Sequence, residues 1–545
     1  MTTTNQTGTF EQLAGVPTAA QLSALANQLF PDLTGDIYGQ SAEAEAAAAA
    51  APVPAQGYEA VPQNAQLSSA AGSAGGFDWE HPFDYPSQPE QSAGTAQNTG
   101  YAPKVLSAEQ AEALENQGRE QAQSEAVTAS AVSHGTSEDG IRIGTKTLGQ
   151  IRSDFPILSE KINGYPLVWL DNGATTQRPQ QVIDRISHYY RYENSNVHRG
   201  AHTLAARSTD AYENARDIVR NFIGASSREE IVFVRGTTEA INLVANAYVR
   251  PQLQPGDEII VSILEHHANI VPWQLIAQQT GAVIKVIPCD ETGQLLLGEY
   301  EKLFSPRTKF VSVTHVSNVL GTVTPVEELI AIAHRHGVRI LIDGAQSVAH
   351  IPVNVSAWDA DFFVFSGHKI YAPTGIGVVY GKKELLRAAE PYHGGGNMIR
   401  DVTFERTIYN DVPNKFEAGT GSIADAVGLG AALDYLSGIG MPCVFRREHE
   451  LLQYALRELR SVPGITLVGT ADNKASALAF KLAGHSDEEV GQRLDSYGIA
   501  VRTGHHCAQP VLRHFGYEST VRPTLGIYNS ESDIDALVRA LRTFA

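Results

Sequence analysis

The chain has 545 residues, enough for two or three domains with hydrophobic cores. It has no apolar run of the roughly 18 residues that a transmembrane helix needs, and its N-terminal sequence lacks the basic and apolar regions of a signal peptide. Three widely separated cysteines, Cys289, Cys443 and Cys507, argue against a disulfide framework and against a metal site of typical spacing. We therefore expect a cytoplasmic protein with no membrane partner.

The net charge of −19 is concentrated near the N-terminus. Residues 1–140 contain 17 acidic side chains but only Lys104 and Arg119 as basic ones. The remaining chain is nearly neutral, and nowhere do basic residues cluster as they do in nucleic-acid-binding proteins. No nucleic-acid partner is predicted.

Residues 1–145 are rich in Ala, Gln, Ser, Gly, Pro and Glu, a composition typical of a disordered extension. Three islands differ from it: leucines at helical spacing in 18–30, aromatic residues among acidic ones in 77–85, and a capping box in 107–117. Helices this short are marginal alone in water. The islands are interpreted as docking motifs that fold on a partner, the alternative being a plain spacer.

From residue 146 onward, apolar strands alternate with amphipathic helices. This order predicts a parallel sheet with helices on both faces, and ligands then bind at the carboxyl ends of its strands. We expect a large domain over 146–430, of which 146–165 packs on the other domain, and a small α+β domain over 431–545. The predicted strands are Pro166–Leu170, Glu230–Val234, Glu258–Leu264, Ala282–Pro288, Phe310–Thr314, Arg339–Ile342 and Phe362–Phe365.

A lysine follows the last of these strands directly, in Ser366-Gly-His-Lys369. A lysine beside a buried strand is costly unless its amine is used. The motif therefore suggests that Lys369 forms a Schiff base with the aldehyde cofactor pyridoxal 5'-phosphate (PLP). The alternative is an ordinary surface turn with a solvated lysine.

Other strand ends carry residue types that such a cofactor needs. Asp343 follows an apolar strand and could hold the pyridine nitrogen protonated, although it could also be a structural cap. Gln346 could donate a hydrogen bond to the phenolic oxygen. Gly236-Thr237-Thr238 opens a helix after a strand and could bind the phosphate with Ser366 and His368, the alternative being simple N-capping. His266 or His267 could hold the cofactor ring in plane with its imidazole face.

A candidate nucleophile lies near the C-terminus, in Arg502-Thr-Gly-His-His-Cys-Ala-Gln509. A thiol beside two imidazoles could form a reactive thiolate, so Cys507 is either that nucleophile or a plain loop cysteine. Arg522 follows in Val-Arg-Pro-Thr-Leu-Gly and could bind a carboxylate with two parallel hydrogen bonds.

These motifs together resemble the cysteine desulfurases of the SufS-like branch (group II), within the class V aminotransferase family. The resemblance runs from about residue 147 to 545. It includes Arg-Gly-Thr-Thr-Glu, Glu-His-His-Ala-Asn-Ile-Val-Pro-Trp-Gln, Asp-Gly-Ala-Gln, Ser-Gly-His-Lys, Phe-Glu-Ala-Gly-Thr and Arg-Thr-Gly-His-His-Cys-Ala. It implies an α/β fold, the PLP-dependent transferase fold type I, with a mostly parallel seven-stranded sheet in the large domain and a small α+β C-terminal domain.

The resemblance also implies residue roles. Lys369 would carry the cofactor, Cys507 would form a persulfide, and His266 would stack on the ring in a catalytic position. Asp343 would contact the pyridine nitrogen and Gln346 the phenolic oxygen. The remaining implied contacts are Thr237, Thr238, Ser366 and His368 to the phosphate, Thr420 to the phosphate of the neighbouring subunit of a homodimer, and Asn318, Arg502 and Arg522 to the substrate carboxylate.

Two residues depart from the usual family pattern. Gly173 stands where the family usually has alanine, and Gly421 stands where proline usually follows the threonine. The long acidic extension is also unusual, and its composition resembles the targeting segments of desulfurases packaged in encapsulin shells. It would place the protein inside such a shell.

The function implied is conversion of L-cysteine to L-alanine, with the sulfur held on Cys507. A SufE- or SufU-like acceptor protein or a small reductant would then take it, for iron–sulfur cluster assembly or sulfur storage. Selenocysteine lyase on the same scaffold is the first alternative. The second is a protein that serves mainly as shell cargo or scaffold.

Overall fold

The structure is a computed structural model that describes residues 138–198 and 200–544. The three islands expected at 18–30, 77–85 and 107–117 lie outside the described residues. Within the described part of the chain, no single helix is long and apolar enough to cross a membrane. The helices Ile423–Ile439 and Met441–Arg460 reach that composition only together, across a 77° bend.

A seven-stranded sheet forms the centre of the described fold. All its strands run parallel except Gly377–Gly381, which is antiparallel to both of its neighbours. This confirms the mostly parallel sheet that the alternation of strands and helices predicts. In spatial order the strands are Ile231–Val234, Gly377–Gly381, Phe362–Ser366, Arg339–Asp343, Thr308–Thr314, Glu258–Ser262 and Val283–Ile287.

Both faces of this sheet are covered, which explains why its central strands are continuous apolar runs. Successive side chains of a strand point to opposite faces. Accordingly Ile231 and Phe233 belong to one hydrophobic cluster, whereas Val232 and Val234 belong to another. The helices in this part of the chain are Gln180–Tyr192, Thr203–Phe222, Thr237–Leu243, Val271–Thr280, Leu297–Lys302, Val326–Arg335, Lys383–Ala388 and Ile423–Ile439.

A second, antiparallel sheet of four strands lies in the C-terminal part of the chain. It shares a separate hydrophobic cluster, which includes Leu452, Phe480 and Ile534, with three helices. The strands, in spatial order, are Ile465–Leu467, Phe480–Leu482, Thr520–Arg522 and Arg502–Gly504. The helices are Met441–Arg460, Asp487–Ser496 and Glu531–Leu541, and the shorter helix Gln509–His514 follows the cysteine loop.

The first predicted strand does not join the seven-stranded sheet. Val168–Trp169 instead pairs in parallel with Ile499–Ala500, and Tyr165–Pro166 forms a small hairpin with Lys161–Ile162. The prediction that Pro166–Leu170 belongs to the large sheet is therefore wrong, because the strand pairs with a partner far along the chain.

Residues just before the expected boundary at 145 are folded. Arg142–Ile143 pairs with Lys146–Thr147, and the side chain of Ile143 is buried. Thr147 forms a capping box with Gln150 at the start of the helix Leu148–Ser153. From this helix Arg152 reaches the C-terminal part, where it donates to the carbonyl of Tyr528 and pairs with Asp533 at 3.1 Å. Residues 138–145, which the prediction places in the extension, are therefore part of the folded chain.

Candidate active site

A cavity of about 360 Å³ opens at the carboxyl ends of the large sheet's strands. The sheet supplies its floor, and the loop after Arg502–Gly504 supplies one wall. All the sequence-predicted site residues except Thr420 and the alternative ring partner His267 line it: Thr237, Thr238, His266, Asn318, Asp343, Gln346, Ser366, His368, Lys369, Arg502, Cys507 and Arg522. Thr420 is exposed and borders a different cavity.

Lys369 ends a single turn of 3-10 helix, Gly367–Lys369, directly after the strand Phe362–Ser366. Burial lowers the pKa of its amine to about 8, against the opposing effect of Asp343. Within residues 138–198 and 200–544, no group forms a hydrogen bond or ion pair with its Nζ. The amine is therefore both easier to deprotonate than an ordinary lysine and available to a ligand.

Asp343 is the last residue of the neighbouring strand Arg339–Asp343, and its side chain is buried. Burial raises the pKa of its carboxyl, while the N–H of Ala345 and the nearby Lys369 oppose that rise. A buried carboxyl in the cavity wall favours a ligand that brings a positive charge or an N–H group to it.

Hydroxyl groups and a backbone N–H gather at the start of the helix Thr237–Leu243. The N–H of Thr237 donates to Oγ of Ser366 at 2.8 Å, and the two hydroxyls lie 2.8 Å apart. Thr238 beside them is exposed. A Cβ on Gly236 would lie 3.2 Å from Oγ of Ser366, so a side chain there would crowd this group. The cluster can donate several hydrogen bonds to an anion such as a phosphate.

His266 is held in the cavity by its own loop. Its Nδ1 accepts the N–H of Ala268 at 3.0 Å. Burial and the nearby Lys369 lower the pKa of His266 to about 3, so the ring is neutral near pH 7. The pKa of His368 is lowered to about 4 by burial and by Lys369.

Glu265, which sequence reasoning did not single out, fixes the backbone beside His266. Its buried carboxyl accepts the side-chain amide of Asn269 at 2.6 Å and the N–H of Thr314 at 2.9 Å, and it also bonds Ser262. Burial raises its pKa to about 8. Glu265 thereby ties the histidine loop to the strand Thr308–Thr314.

The Cys507 loop adopts a backbone that few residues favour. His506 and Cys507 have φ values of +50° and +55°, in the left-handed region. Three contacts hold it there: Asn318 donates to the carbonyl of His506 at 2.6 Å, the N–H of His267 donates to the carbonyl of Cys507 at 2.7 Å, and the His506 ring bonds Thr520. The loop places the exposed Cys507 at the mouth of the cavity.

Two arginines line the same side of the cavity and share one carboxylate. Arg502 makes a bidentate ion pair with Asp171, with its closest contact at 2.9 Å, and Arg522 approaches Asp171 at 3.5 Å. Burial lowers the pKa of Arg522 to about 10, and Asp171 opposes that shift. Asp171 was missed from the sequence, although its place at the end of a short strand is the kind of position that drew attention to Asp343.

Three buried polar atoms of residues that line the cavity have no partner among the described residues. They are Nε of Arg522, Oδ1 of Asn318 and Nδ1 of His506. Buried polar groups are costly when unpaired, so this side of the cavity is suited to a polar, anionic ligand group.

Gln346 and Gly173 contact each other directly. The amide of Gln346 donates to the carbonyl of Gly173 at 2.7 Å, and the N–H of Gly173 donates to Oγ1 of Thr524 at 2.7 Å. A Cβ on residue 173 would lie 2.9 Å from Cγ2 of Thr524 and 3.3 Å from Nη2 of Arg522. The glycine therefore permits the close packing of this wall.

Known proteins resemble this chain in sequence and in fold. A family model described as "Aminotransferase class-V" matches residues 168–537. The chain belongs to the class-V aminotransferase family. Among curated relatives of this family member, a "Probable cysteine desulfurase" from Mycolicibacterium paratuberculosis is 61% identical over 395 residues, which are 72% of this chain and 58% of the relative. A "Cysteine desulfurase" from Pectobacterium atrosepticum is 51% identical over 394 residues, 72% of this chain and 97% of the relative.

A solved structure of a similar protein shows the same fold. A crystal structure of a cysteine desulfurase from Escherichia coli matches with a TM-score of 0.68 at 40% identity, covering 73% of this chain and 98% of that chain. This likeness confirms the predicted PLP-dependent transferase fold. The match spans between 58% and 65% of the length of the three curated relatives that are 60% to 61% identical.

Proposed function

We propose that this class-V aminotransferase family member is a PLP-dependent cysteine desulfurase that releases L-alanine and retains sulfur as a persulfide on Cys507. The observation that carries the proposal is the meeting of three groups in one cavity. An exposed thiol stands at its mouth, while the half-buried Lys369 and the buried carboxyl of Asp343 lie inside. The names of relatives at 48% to 61% identity support it.

The residues present fit the cofactor. Lys369 would hold it covalently, and Asp343 would contact its ring nitrogen, where burial of the carboxyl favours a cationic partner. The neutral His266 would lie against the ring, and Gln346 has a second amide N–H left for the phenolic oxygen. The phosphate contacts would be Thr237, Thr238, Ser366 and His368. When bound, PLP withdraws electrons from the substrate carbon that loses its proton.

Substrate cysteine would enter beside the two arginines. Nε of Arg522 has no partner in the described part of the chain and would donate to the substrate carboxylate. Arg502 and Asn318 would complete this contact. Because Asp171 already fixes both arginines, the charge is positioned before the substrate arrives.

Lys369 and Cys507 would then carry out separate steps. The amine of Lys369, with its pKa lowered to about 8, is suited to accept the Cα proton. The thiolate of Cys507 would attack the substrate sulfur, forming a sulfur–sulfur bond as the Cβ–Sγ bond breaks. Cβ gains a proton from solvent, and Lys369 returns a proton to Cα, which yields alanine.

The test replaces the nucleophile only. Cys507→Ala is expected to keep the absorption band of the bound cofactor and to lose alanine formation from cysteine. Cys443→Ala is the matched control, since Cys443 does not line the cavity. Unchanged alanine formation by Cys507→Ala would contradict the proposal.

A homodimer is part of the proposal, with Thr420 reaching the phosphate in the partner's cavity. Its support is that Thr420 is exposed and does not line its own cavity. Mixing Lys369→Ala subunits with Thr420→Ala subunits is the test. If the two residues act in one site from different chains, about half of the dimers are mixed, each has one intact site, and about a quarter of normal activity returns. No recovery would place both residues in the same chain's site.

The sulfur acceptor and the extension are proposed on the resemblance alone. We expect an acceptor protein or small reductant to discharge Cys507, and the acidic extension to direct the enzyme to an encapsulin shell in the cytoplasm. Deleting residues 1–137 spares the folded segment that begins at Glu138. The shortened enzyme should no longer associate with the encapsulin shell, but it should still turn over cysteine. A shell that still contains the shortened enzyme would refute the targeting role.

A further inference from the structure

Three side chains at the mouth of the cavity offer metal-ligand atoms to one another. One donor atom each from His267, His505 and Cys507 lies within 4.8 Å of the other two. His505 and Cys507 are exposed and His267 is half-buried, and the two imidazole rings are 5.6 Å apart and inclined by 30°. The proposed reaction uses only Cys507 of this group.

Both imidazoles turn an unprotonated nitrogen toward the cysteine loop. Nδ1 of His505 accepts the N–H of Cys507 at 3.0 Å, and Nε2 of His267 accepts the N–H of Gln509 at 3.4 Å. A nitrogen that accepts a hydrogen bond carries no proton, which is the form that binds a metal ion.

We propose that His267, His505 and Cys507 form a binding site for a divalent cation of the zinc class. Tetrahedral zinc has Zn–N bonds of about 2.0–2.1 Å and a Zn–S bond of about 2.3 Å, so its ligand atoms lie roughly 3.3–3.8 Å apart. Donor atoms already within 4.8 Å reach that spacing through small side-chain rotations. Two nitrogens and a thiolate suit Zn²⁺, whereas Mg²⁺ and Ca²⁺ prefer oxygen ligands.

The binding step involves no electron transfer. A Zn–S bond forms as the S–H bond of Cys507 breaks, and the proton leaves to solvent. Three protein ligands leave a fourth position, which is open to water because two of the three side chains are exposed.

The functional consequence rests on the proposed desulfurase activity. A thiolate that is bound to zinc is no longer free to attack the substrate sulfur, so the metal ion acts as a reversible brake on persulfide formation. Chelation of the metal ion would release the nucleophile.

Metal binding is tested on the full-length holoenzyme by equilibrium dialysis against Zn²⁺. Wild-type protein is expected to retain one Zn²⁺ per chain, and His505→Gln and His267→Gln are expected to weaken binding at least tenfold. His514→Gln is the matched control, because His514 is an exposed histidine near the same loop that does not line the cavity. The cofactor absorption band checks that each variant is folded.

X-ray absorption at the zinc edge of the wild-type complex identifies the ligands. We expect one sulfur and two imidazole nitrogens, and loss of the sulfur in Cys507→Ser. A shell of oxygen and nitrogen alone, or equal affinity in His505→Gln and wild type, would overturn the site.

Turnover separates the two proposals. Zn²⁺ should inhibit alanine formation in wild type, a chelator should restore it, and Mg²⁺ at the same concentration should have no effect. An enzyme that binds one zinc through sulfur but forms no alanine from cysteine would keep the metal site and refute the desulfurase. An active enzyme that is insensitive to Zn²⁺ would refute the brake and keep the desulfurase.

Discussion

Replacing Glu417 by alanine should destabilise the fold strongly. Its carboxylate accepts hydrogen bonds from Nη1 and Nη2 of Arg216 at 2.7 and 3.0 Å, from the N–H of Phe233 at 2.8 Å and from the hydroxyl of Tyr212 at 3.1 Å. The side chain of Arg216 is fully buried. Burial alone would lower the pKa of Arg216, but Glu417 raises it above its ordinary value. Removing Glu417 therefore leaves a buried charge.

The expected loss follows from that buried charge. Removing one partner of a buried ion pair costs about 3–5 kcal/mol. Glu213, which contacts Nε of Arg216 at 3.1 Å, compensates in part, but its side chain is 23% exposed and its attraction is screened by water. We expect Glu417→Ala to lose about 3 kcal/mol of the free energy of unfolding.

Urea unfolding of the holoenzyme measures the loss as a shift of the midpoint at an unchanged slope. The control is Glu299→Ala, whose ion pair with Lys302 is exposed and whose loss should cost less than about 1 kcal/mol. A double variant, Arg216→Met with Glu417→Leu, should recover most of the stability, because paired replacement leaves no buried charge. A loss below about 1 kcal/mol in Glu417→Ala would refute the reasoning.

Three further predictions concern the cavity. The apoenzyme should gain stability as pH rises from about 8 to 10.5, because over this range Lys369 binds a proton in the unfolded protein but not in the folded protein. Unfolding measured as a function of pH should not show this gain in Lys369→Met. The folded protein should lose stability as pH rises from 4.5 to about 8, because over this range Glu265 stays protonated only when the protein is folded. The variant Glu265→Gln should not show this loss. An identical pH profile of stability in the variant and the wild type would contradict the raised pKa of Glu265. Gly173→Ala should raise KM for cysteine several-fold with little change in kcat, because its Cβ would lie 3.3 Å from Nη2 of Arg522. The control is Gly298→Ala, whose Cβ would have nothing within 4 Å. A KM of Gly173→Ala equal to that of the wild type would refute the crowding.

The sequence predicts the large sheet and most of the cavity for a simple physical reason. Buried parallel strands are continuous apolar runs, so the polar residue that ends each run is visible, as with Asp343 and Lys369. Because parallel strands end at one edge, these residues meet without any knowledge of the loops. The roles assigned to them remain predictions.

What escapes the sequence depends on contacts between distant residues. Val168–Trp169 pairs with Ile499–Ala500, and no local pattern names that partner. Glu265 and Asp171 are ordinary acidic residues in the sequence, and only the fold shows which groups they hold. The left-handed backbone of Cys507 is set by neighbouring elements, since its own residue type disfavours it.

The pairing of Val168–Trp169 with Ile499–Ala500 has a consequence for how the chain is made. Residues 152–169 find the strand partner Ile499–Ala500, and the Asp533 partner of Arg152, only much later in the chain. A nascent chain still lacking residues beyond 499 therefore holds this segment without its final contacts while the central sheet can already form. This part of the fold must wait until those residues are made, and joining such distant residues carries a loop-closure cost that slows this step.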